Sequence, residues 1–460
     1  KRFQLSTPVD ALLEPEGELQ LDLSQEAPGR KIALIGSLFE GSIEDRVDAT
    51  ELRLGYGASP EQAAIRATLG EGVDVKLEQN RSGPAKLQVR VAEGGSADDI
   101  AVEIEDLPTA LALAVDPGAG KLDYDASGPV ERLAAQVHTA DPVFLGAEHL
   151  EATLRDVPAS FELALGRALD DLSLTSSAAI GQIDLRARSE GRDYPSVPDG
   201  EAGAVVDAAG DSLALALRVF GLRKLAVAFD PIALEAELEG GRVFTVDAKL
   251  QQDDGPLTAK AVIDKMPDRI RLAIDSAGGA ISYDASAPVD RISAQVDTAG
   301  PVLLGAEHFD ATLLDVPDAF NLALGQDAGN VSLSADRAIG QIDLRARSDD
   351  RDYPELPAGP AGVIFDSTGE ALALALRVFA LERIAVSLDP LALEAKMSGG
   401  HLFTVDANVE LESGPARIKG VLDKLPSEVE LGIDTETGAV TYDASERMER
   451  LDREVELMQR

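Results

Sequence analysis

The sequence predicts an all-β protein made of tandem repeats of antiparallel amphipathic strands and hairpins. Three observations support this fold class. Apolar and polar residues alternate along most of the chain, glycine pairs separate the alternating segments, and one long unit occurs twice in the same order. Period-two alternation is typical of a half-buried strand. We therefore expect an extended, curved or layered sheet whose apolar side is covered.

The repeat is visible in short identical segments. Tyr-Asp-Ala-Ser begins at Tyr124, Tyr283 and Tyr442, each 159 residues after the last. Ala-Ile-Gly-Gln-Ile-Asp-Leu-Arg begins at Ala179 and again at Ala338, with the same spacing. This period predicts a diverged, truncated unit at 1–120, repeat units at 121–279 and 280–438, and the start of a further unit at 439–460.

A shorter motif within each unit predicts a β-hairpin. Asp264-Lys-Met-Pro267 leads into an alternating segment, a glycine pair follows at 278–279, and a second alternating segment comes after it. Glycine supplies the positive φ of a tight turn, and proline at the start of a strand removes no ladder hydrogen bond. Two variant copies are predicted over 230–241 and 389–400, each opened by Asp-Pro and turned at Gly-Gly.

The last segment has a different period. Met448, Leu451, Val455 and Met458 follow one another at spacings of three, four and three residues. This spacing places them on one face of a helix, with Ser445 as its N-cap. The sequence therefore predicts a short C-terminal amphipathic helix.

One strand is apolar on both faces. From Leu213 to Leu217, leucine alternates with alanine instead of a charged residue. A strand of this kind is typical of a central position covered on both sides. The pattern favours a packed layer at this point over an open groove.

Composition excludes several classes of function. Acidic residues number 82 against 42 basic ones, which gives a formal net charge of −40. Such a chain repels phosphate backbones and anionic membranes, so we expect no nucleic-acid partner. Cysteine is absent, which excludes disulfides and thiol chemistry. No stretch reaches the roughly 18 to 20 apolar residues of a transmembrane segment, and a start at Lys1 suggests a processed or longer protein.

The candidate chemical motifs each have a structural interpretation that we prefer. Gly210-Asp-Ser212-Leu matches the signature of the GDSL esterases, but Ala371 stands at the place of the serine in the next unit. His149 and His308 both lie in Leu-Gly-Ala-Glu-His, where one histidine and one carboxylate are too few ligands for zinc. The sequence therefore predicts no catalytic residue, no cofactor site, no metal site and no enzyme activity.

Three weaker motifs are interpreted as turns or surface segments. The acidic turns at 253–255 and 349–352 lack the spaced oxygen ligands of a calcium loop. Residues 118–121, Gly-Ala-Gly-Lys, lack the rest of a phosphate-binding loop. The Asn80 and Asn330 sequons matter only in a secreted eukaryotic protein.

The glycine-punctuated amphipathic pattern resembles the long repetitive β-rich proteins of bacterial envelopes, in particular the bridge-like lipid-transfer family of the AsmA and TamB type. The resemblance covers most of the chain and rests on pattern, with no specific motif. It implies a sheet curled into a groove for acyl chains, and no residue is carried over as functional. The Leu213–Leu217 strand departs from it.

We expect a non-catalytic β-repeat protein of the cell envelope or exterior that acts as a scaffold, stalk or interaction surface. Its partner would be another protein or an envelope component. The alternative is a carrier or conduit for lipid or other apolar cargo along an amphipathic β-groove. The two functions differ in whether the apolar faces are all consumed by packing or leave a lined cleft.

Overall fold

The computed structural model is all-β, as the sequence predicts, and contains no helix among its described residues. None of the described residues therefore forms a helix able to cross a membrane. Strands are described from Gln4 to Leu457. Side chains are described within 101–446, except at 106–122, 140–146, 165–171, 199–200, 211, 229–232, 252–255, 274–279, 301–305, 324–331, 358–360, 368–370, 386–393, 398–401, 409–416, 418, 425 and 431–440.

The strands are numbered in chain order. The first group is β1 (Gln4–Leu5), β2 (Glu18–Leu23), β3 (Arg30–Ile35), β4 (Phe39–Asp45), β5 (Thr50–Tyr56), β6 (Gln62–Leu69), β7 (Val73–Asn80), β8 (Ala85–Glu93), β9 (Ser96–Glu105), β10 (Ala110–Asp116) and β11 (Lys121–Ala126). The second group is β12 (Val130–His138), β13 (His149–Val157), β14 (Ser160–Leu165), β15 (Asp171–Arg188), β16 (Ala202–Ala209), β17 (Ser212–Phe229), β18 (Ile232–Glu237), β19 (Phe244–Gln252), β20 (Gly255–Asp264), β21 (Arg269–Asp275) and β22 (Ala280–Ala285). The third group is β23 (Val289–Thr298), β24 (His308–Val316), β25 (Ala319–Leu324), β26 (Asn330–Arg347), β27 (Ala361–Ser367), β28 (Ala373–Leu388), β29 (Leu391–Met397), β30 (Phe403–Leu411), β31 (Gly414–Asp423), β32 (Glu428–Ile433), β33 (Val440–Ala444) and β34 (Arg450–Leu457).

The chain divides into two compact units. The N-terminal half comprises 1–230 and 235–239, and the C-terminal half comprises 231–234 and 240–460. The repeat boundaries expected from the sequence stay a prediction.

In the C-terminal half, the strands form two sheets that share the long strands β26 and β28. The Tyr sheet, named for Tyr283 on β22, has the order β21–β22–β25–β26–β28–β29–β32–β33. The His sheet, named for His308 on β24, has the order β19–β20–β23–β24–β26–β28–β27–β30–β31–β34. Only the β27–β30 pair among these is parallel.

The N-terminal half follows the same plan. Its Tyr sheet, which holds Tyr124, has the order β5–β10–β11–β14–β15–β17. Its His sheet, which holds His149, has the order β9–β12–β13–β15–β17–β16. Pairings recur at the sequence period: β12 and β13 pair from Val130 to Val157, and β23 and β24 pair from 289 to 316.

The long strands β26 and β28 bend where they pass from one sheet to the other. The β26–β28 register shifts between Ser334 and Ile339, so β26 has extra residues at the bend. On β28 the backbone at Ala380 has a φ of 50° there. In the shorter strands the bend is made by the Asp-x-x-Pro or Asp-x-Pro motif, two residues before the proline, where Lys265 has a φ of 56° and Asp315 a φ of 50°.

The Asp-x-x-Pro motif predicted to open a hairpin therefore also bends the chain from one sheet into the other. β21 and β22 form the predicted antiparallel hairpin, with Ile270 opposite Ala285. The variant hairpin predicted over 389–400 is wrong. Leu388 pairs with Leu391, so the chain reverses between these two residues, and β29 then pairs with β32. The strand that follows, β30, belongs to the His sheet, because the chain crosses between sheets at this point.

The predicted C-terminal helix is also wrong over Arg450–Leu457, which form β34. β34 pairs antiparallel with β31, with Leu451 opposite Leu422 and Val455 opposite Ile418. Without β34 the backbone groups of β31 on this side would form an unpaired sheet edge. Strand pairing thus overrides a helical spacing shorter than two heptads. Ser445 precedes β34, and Met448 and Met458 lie outside the described residues.

Candidate functional site

One face of the His sheet in the C-terminal half is apolar across successive strands. The cross-strand ranks on this face are Ile292–Leu313–Ile342–Val378, Ala294–Ala311–Leu344–Leu376–Val363–Val405 and Val296–Phe309–Ala346–Leu374–Phe365–Ala407. The opposite face is mostly polar, with ranks such as Ser293–Thr312–Asp343–Arg377. Because side chains alternate between faces, a register without slips keeps the apolar face continuous.

The Tyr sheet has an apolar face of the same kind. Its described ranks include Leu272–Tyr283–Phe320–Ala335 and Ile281–Leu322–Leu333–Ile384–Ala395–Val429. These side chains are buried or half-buried, whereas Arg271, Ser282 and Asn321 on the other face are exposed. The alternation of apolar and polar residues in the sequence thus separates a solvent-exposed face from a buried or half-buried face.

The apolar faces of the two sheets meet at the bend. Leu333 of the Tyr sheet, Val378 of the His sheet and Ile339 between them belong to one buried cluster. Ile384 and Leu376, again one from each sheet, pack against it. The two apolar faces therefore face each other across the bend.

Burial is complete at the bend and uneven beyond it, where a second small cluster on the His sheet is also buried. Val316 and Ile339 are fully buried, and Val289 nearly so. Along β24, in contrast, every residue from His308 to Leu314 is half-buried, and only Val316 at the bend is buried. A sheet packed fully against a second layer would bury one whole face of such a strand. Apolar surface on the inner face of the His sheet is thus only partly covered.

Two tyrosine hydroxyls lie within the apolar region. Tyr124 and Tyr283 are 2% and 4% exposed. Their rings stack on Phe161 and Phe320, with centroids 4.9 and 5.0 Å apart. Neither hydroxyl has a hydrogen-bond partner among the described residues.

Burial strengthens the preference of these tyrosines for the neutral form, which an ordinary tyrosine already adopts at neutral pH. It is the main cause that raises the pKa of Tyr124 and of Tyr283 to about 12, so both hydroxyls stay protonated at neutral pH. A buried hydroxyl without a partner costs about 1–3 kcal/mol. Each tyrosine therefore offers an unused hydrogen-bond donor next to an apolar surface.

The outer face of the Leu-Ala strand is covered by a segment of the chain itself. This strap, residues 189–198, follows β15 without forming a strand. Arg186 and Arg188 on the outer face of β15 lie over the ring of Tyr194 at 5.1 and 4.9 Å. Arg218 donates a hydrogen bond to the carbonyl of Pro198 at 2.9 Å. Ala216 lies on this outer face, directly opposite Arg186 in the register, and is fully buried.

The predicted central position is thus confirmed for β17, which lies between β15 and β16. The strap covers the alanine face. The leucine side chains lie on the inner apolar face, where Leu215 packs against the cluster that contains Leu213. Apolar residues on both faces of β17 are therefore compatible with a groove, because only the leucine face would line it.

Histidine and carboxylate side chains cluster on the outer face of the His sheet in each half. In the N-terminal half, His149 Nε2 donates to Glu190 Oε2 at 2.7 Å, and the rings of His138 and His149 stack at 4.2 Å. This hydrogen bond is the main cause that lowers the pKa of Glu190. Sequence reasoning paired His149 only with its neighbour Glu148, and so missed His138 and Glu190.

The equivalent cluster in the C-terminal half has one histidine. His308 Nδ1 donates to Asp297 at 2.6 Å and His308 Nε2 donates to Asp349 at 2.6 Å. These hydrogen bonds, that of Asp297 first, raise the pKa of His308. The acidic turn at 349–352, considered above for calcium, thus contributes Asp349 to an ion pair with His308.

The remaining sequence motifs occupy structural positions. Ser212 begins β17, and its Oγ accepts a hydrogen bond from Arg192 at 3.3 Å. Arg192 also forms an ion pair with Asp207, so it fastens the strap to β16. Asn80 and Asn330 stand at the end of β7 and the start of β26. Residues 118–120 and 253–254 lie outside the described residues.

Comparison with known proteins gives no relative. No protein-family model, curated protein or solved structure matches the chain. The resemblance to the AsmA and TamB type stays a prediction, and function is inferred from the geometry of the chain.

Proposed function

We propose that the chain carries apolar cargo, namely acyl chains of a lipid, between the apolar faces of its Tyr sheet and His sheet. One observation supports this most: the two faces are fully buried where they meet at the bend, whereas the inner face of β24 is only half-buried beyond it. Apolar surface exposed to water costs about 25 cal/mol for every Å². Acyl chains laid against these faces would remove that cost.

The tyrosine hydroxyls suit the polar end of such a cargo. Tyr124 and Tyr283 hold neutral donors beside apolar surface, and neither has a partner among the described residues. A lipid ester carbonyl is an acceptor without charge, so it can satisfy the donor without bringing an ion into an apolar region. An ester-linked lipid thus fits this surface better than a free fatty acid carboxylate does.

The net charge of −40 is compatible with this role. The acidic side chains lie on the outer faces, as at Asp284 and Asp343, and keep a protein with apolar cargo soluble. In this proposal the chain is non-catalytic and belongs to the cell envelope or exterior. The alternating strands and the absence of a catalytic motif in the sequence support that assignment.

A purely structural role as a scaffold or stalk is the second candidate, and one observation favours it. In the N-terminal half, Leu172 from the Tyr-sheet part of β15 packs against a cluster that contains Leu150 and Leu213 of the His sheet. Leu172 lies near the end of β15 that is remote from the bend at Ile180. The apolar faces of this half therefore touch each other without cargo.

Two adjacent residues on opposite faces of β23 provide a test. Ala294 lies on the inner apolar face and Gln295 on the outer face, where it is exposed. Ala294→Phe should fill space that cargo uses and lower the uptake of a fluorescent phospholipid, whereas Gln295→Phe should leave it unchanged. Equal uptake by both variants and the wild type, or no uptake by any of them, would contradict the carrier function.

A further inference from the structure

We propose that His138, His149 and Glu190 form a binding site for one Zn²⁺ ion on the outer face of the His sheet. One ligand atom from each of the three side chains lies within 4.8 Å of the others. The site is separate from the apolar faces, and the proposal does not depend on the carrier function.

Three secondary-structure elements hold the ligands. His138 ends β12 and His149 begins β13, and the two residues are directly opposite in the antiparallel register. Glu190 lies in the turn after β15, where its backbone N–H donates to Glu148 Oε2 at 2.8 Å. Two paired strands and a fastened turn therefore hold the backbones of the three ligand residues close together before any ion binds, which favours binding.

The ligand types suit zinc. Two imidazole nitrogens and one carboxylate oxygen, with a fourth position open to water, form a common three-ligand zinc set. In a tetrahedral site with Zn–N distances of about 2.0–2.1 Å, the ligand atoms lie roughly 3.3 Å apart. His138 and Glu190 are exposed, so their side chains are free to close the remaining distance.

The charge balance around the site also favours a cation. Glu148 lies beside the turn, where its carboxylate accepts a hydrogen bond from the backbone N–H of Glu190. Arg188, opposite His149, is the neighbouring cation, and its guanidinium is engaged with the ring of Tyr194 and with the carbonyls of Ser189 and Arg192.

The C-terminal half supplies an internal comparison with a different ligand set. The positions equivalent to His138, His149 and Glu190 hold Asp297, His308 and Asp349. His308 lies between the carboxylates of Asp297 and Asp349, so this cluster has one histidine where the N-terminal cluster has two. In this proposal the second histidine, His138, distinguishes the N-terminal cluster as a zinc site, because Asp297 stands at the equivalent position in the other half.

The test is a calorimetric titration of the metal-free full chain with Zn²⁺, with excess Mg²⁺ present to occupy the acidic surface. Wild type should bind one Zn²⁺ ion, and Co²⁺ in its place should give the visible absorption of a tetrahedral site with nitrogen ligands. His138→Asp and Glu190→Gln should each weaken binding by more than about tenfold, because even residues behind the ligands contribute this much. Circular dichroism should show unchanged strand content in both variants. Absence of a Zn²⁺ site in the wild type, or a site of unchanged affinity in folded His138→Asp, would overturn the proposal.

Discussion

Tyr283 stacks on Phe320 with ring centroids 5.0 Å apart, and this stacking holds its hydroxyl in an apolar region without a partner among the described residues. Tyr442, at the same place in the sequence period, is 46% exposed. The two tyrosines thus differ in environment but not in sequence context, which makes them a matched pair for mutation.

Tyr283→Phe should stabilise the lipid-free protein, because it removes an unsatisfied hydroxyl that costs about 1–3 kcal/mol. The same variant should bind an ester-linked lipid more weakly, since the proposed donor is lost. Tyr442→Phe should change neither property. Thermal unfolding and lipid titration measure both effects, and a loss of stability in Tyr283→Phe would indicate that the hydroxyl has a protein partner.

The ion pairs of His308 predict a pH dependence of stability. Because the pKa of His308 is raised above 6.5 in the folded state, its contribution is fully present below pH 6.5 and is lost as the pH rises through the folded pKa. His308→Asn should therefore destabilise the C-terminal half at acid pH and have less effect at alkaline pH. Urea unfolding of wild type and variant across this range tests the sign. A stability difference that grows with pH would contradict it.

The bend requires glycine opposite the Asp-x-Pro motif. A Cβ on Gly340 would lie 2.5 Å from Asp315 Oδ2, so Gly340→Ala forces the aspartate or the strand to move. We expect a loss of about 1–3 kcal/mol in the unfolding free energy of the C-terminal half. Gly300→Ala, where a Cβ meets nothing within 4 Å, is the control. In Asp315→Gly, which also removes the Cβ that would lie 2.7 Å from the new methyl group, the cost of Gly340→Ala should shrink. An unchanged cost would show that the clash is not with this side chain.

The comparison between the two clusters predicts a gain of function. Asp297→His should give the C-terminal half two histidines and one carboxylate, with Asp349 in place of the glutamate, and create a second Zn²⁺ site. The stoichiometry of Zn²⁺ binding should rise from one to two ions per chain. If the folded variant binds no more Zn²⁺ than the wild type, the residue at this position does not control zinc binding.

Strands and most hairpins were predictable because alternation and glycine pairs are local signals. The bend was not predictable, because Asp264-Lys-Met-Pro267 identifies a change of direction without giving the sign of φ at Lys265. The β34 strand was missed for a related reason. Its residues have a helical spacing, and only the pairing with β31 decides between helix and strand.

The clusters of the His sheet join residues that are distant in sequence. Glu190 lies 41 residues after His149, and only the β13–β15 pairing brings the turn beside the histidine. One signal was available: His138 and Asp297 are at equivalent positions in the repeat, as are Glu190 and Asp349. A potential ligand kept at all three positions in both copies indicates a cluster once the pairing of the strands is known.

The covering of the Leu-Ala strand was half predictable. Apolar residues on both faces indicated that both would be buried, and Ala216 is buried. The sequence did not indicate that the cover would be the strap at 189–198, since that segment has no strand or helix pattern. Its polar contacts, such as Arg218 with the Pro198 carbonyl, form only in the folded chain.

The carrier function is tested most directly by extracting the purified full chain with organic solvent and identifying the extract by mass spectrometry. Half-buried apolar faces that bind acyl chains should retain them through purification, because release would expose apolar surface to water. The account predicts ester-linked lipid in at least equimolar amount, and less of it in Ala294→Phe than in Gln295→Phe. An extract free of lipid, from protein purified from its native host, would contradict the carrier function and leave the structural role.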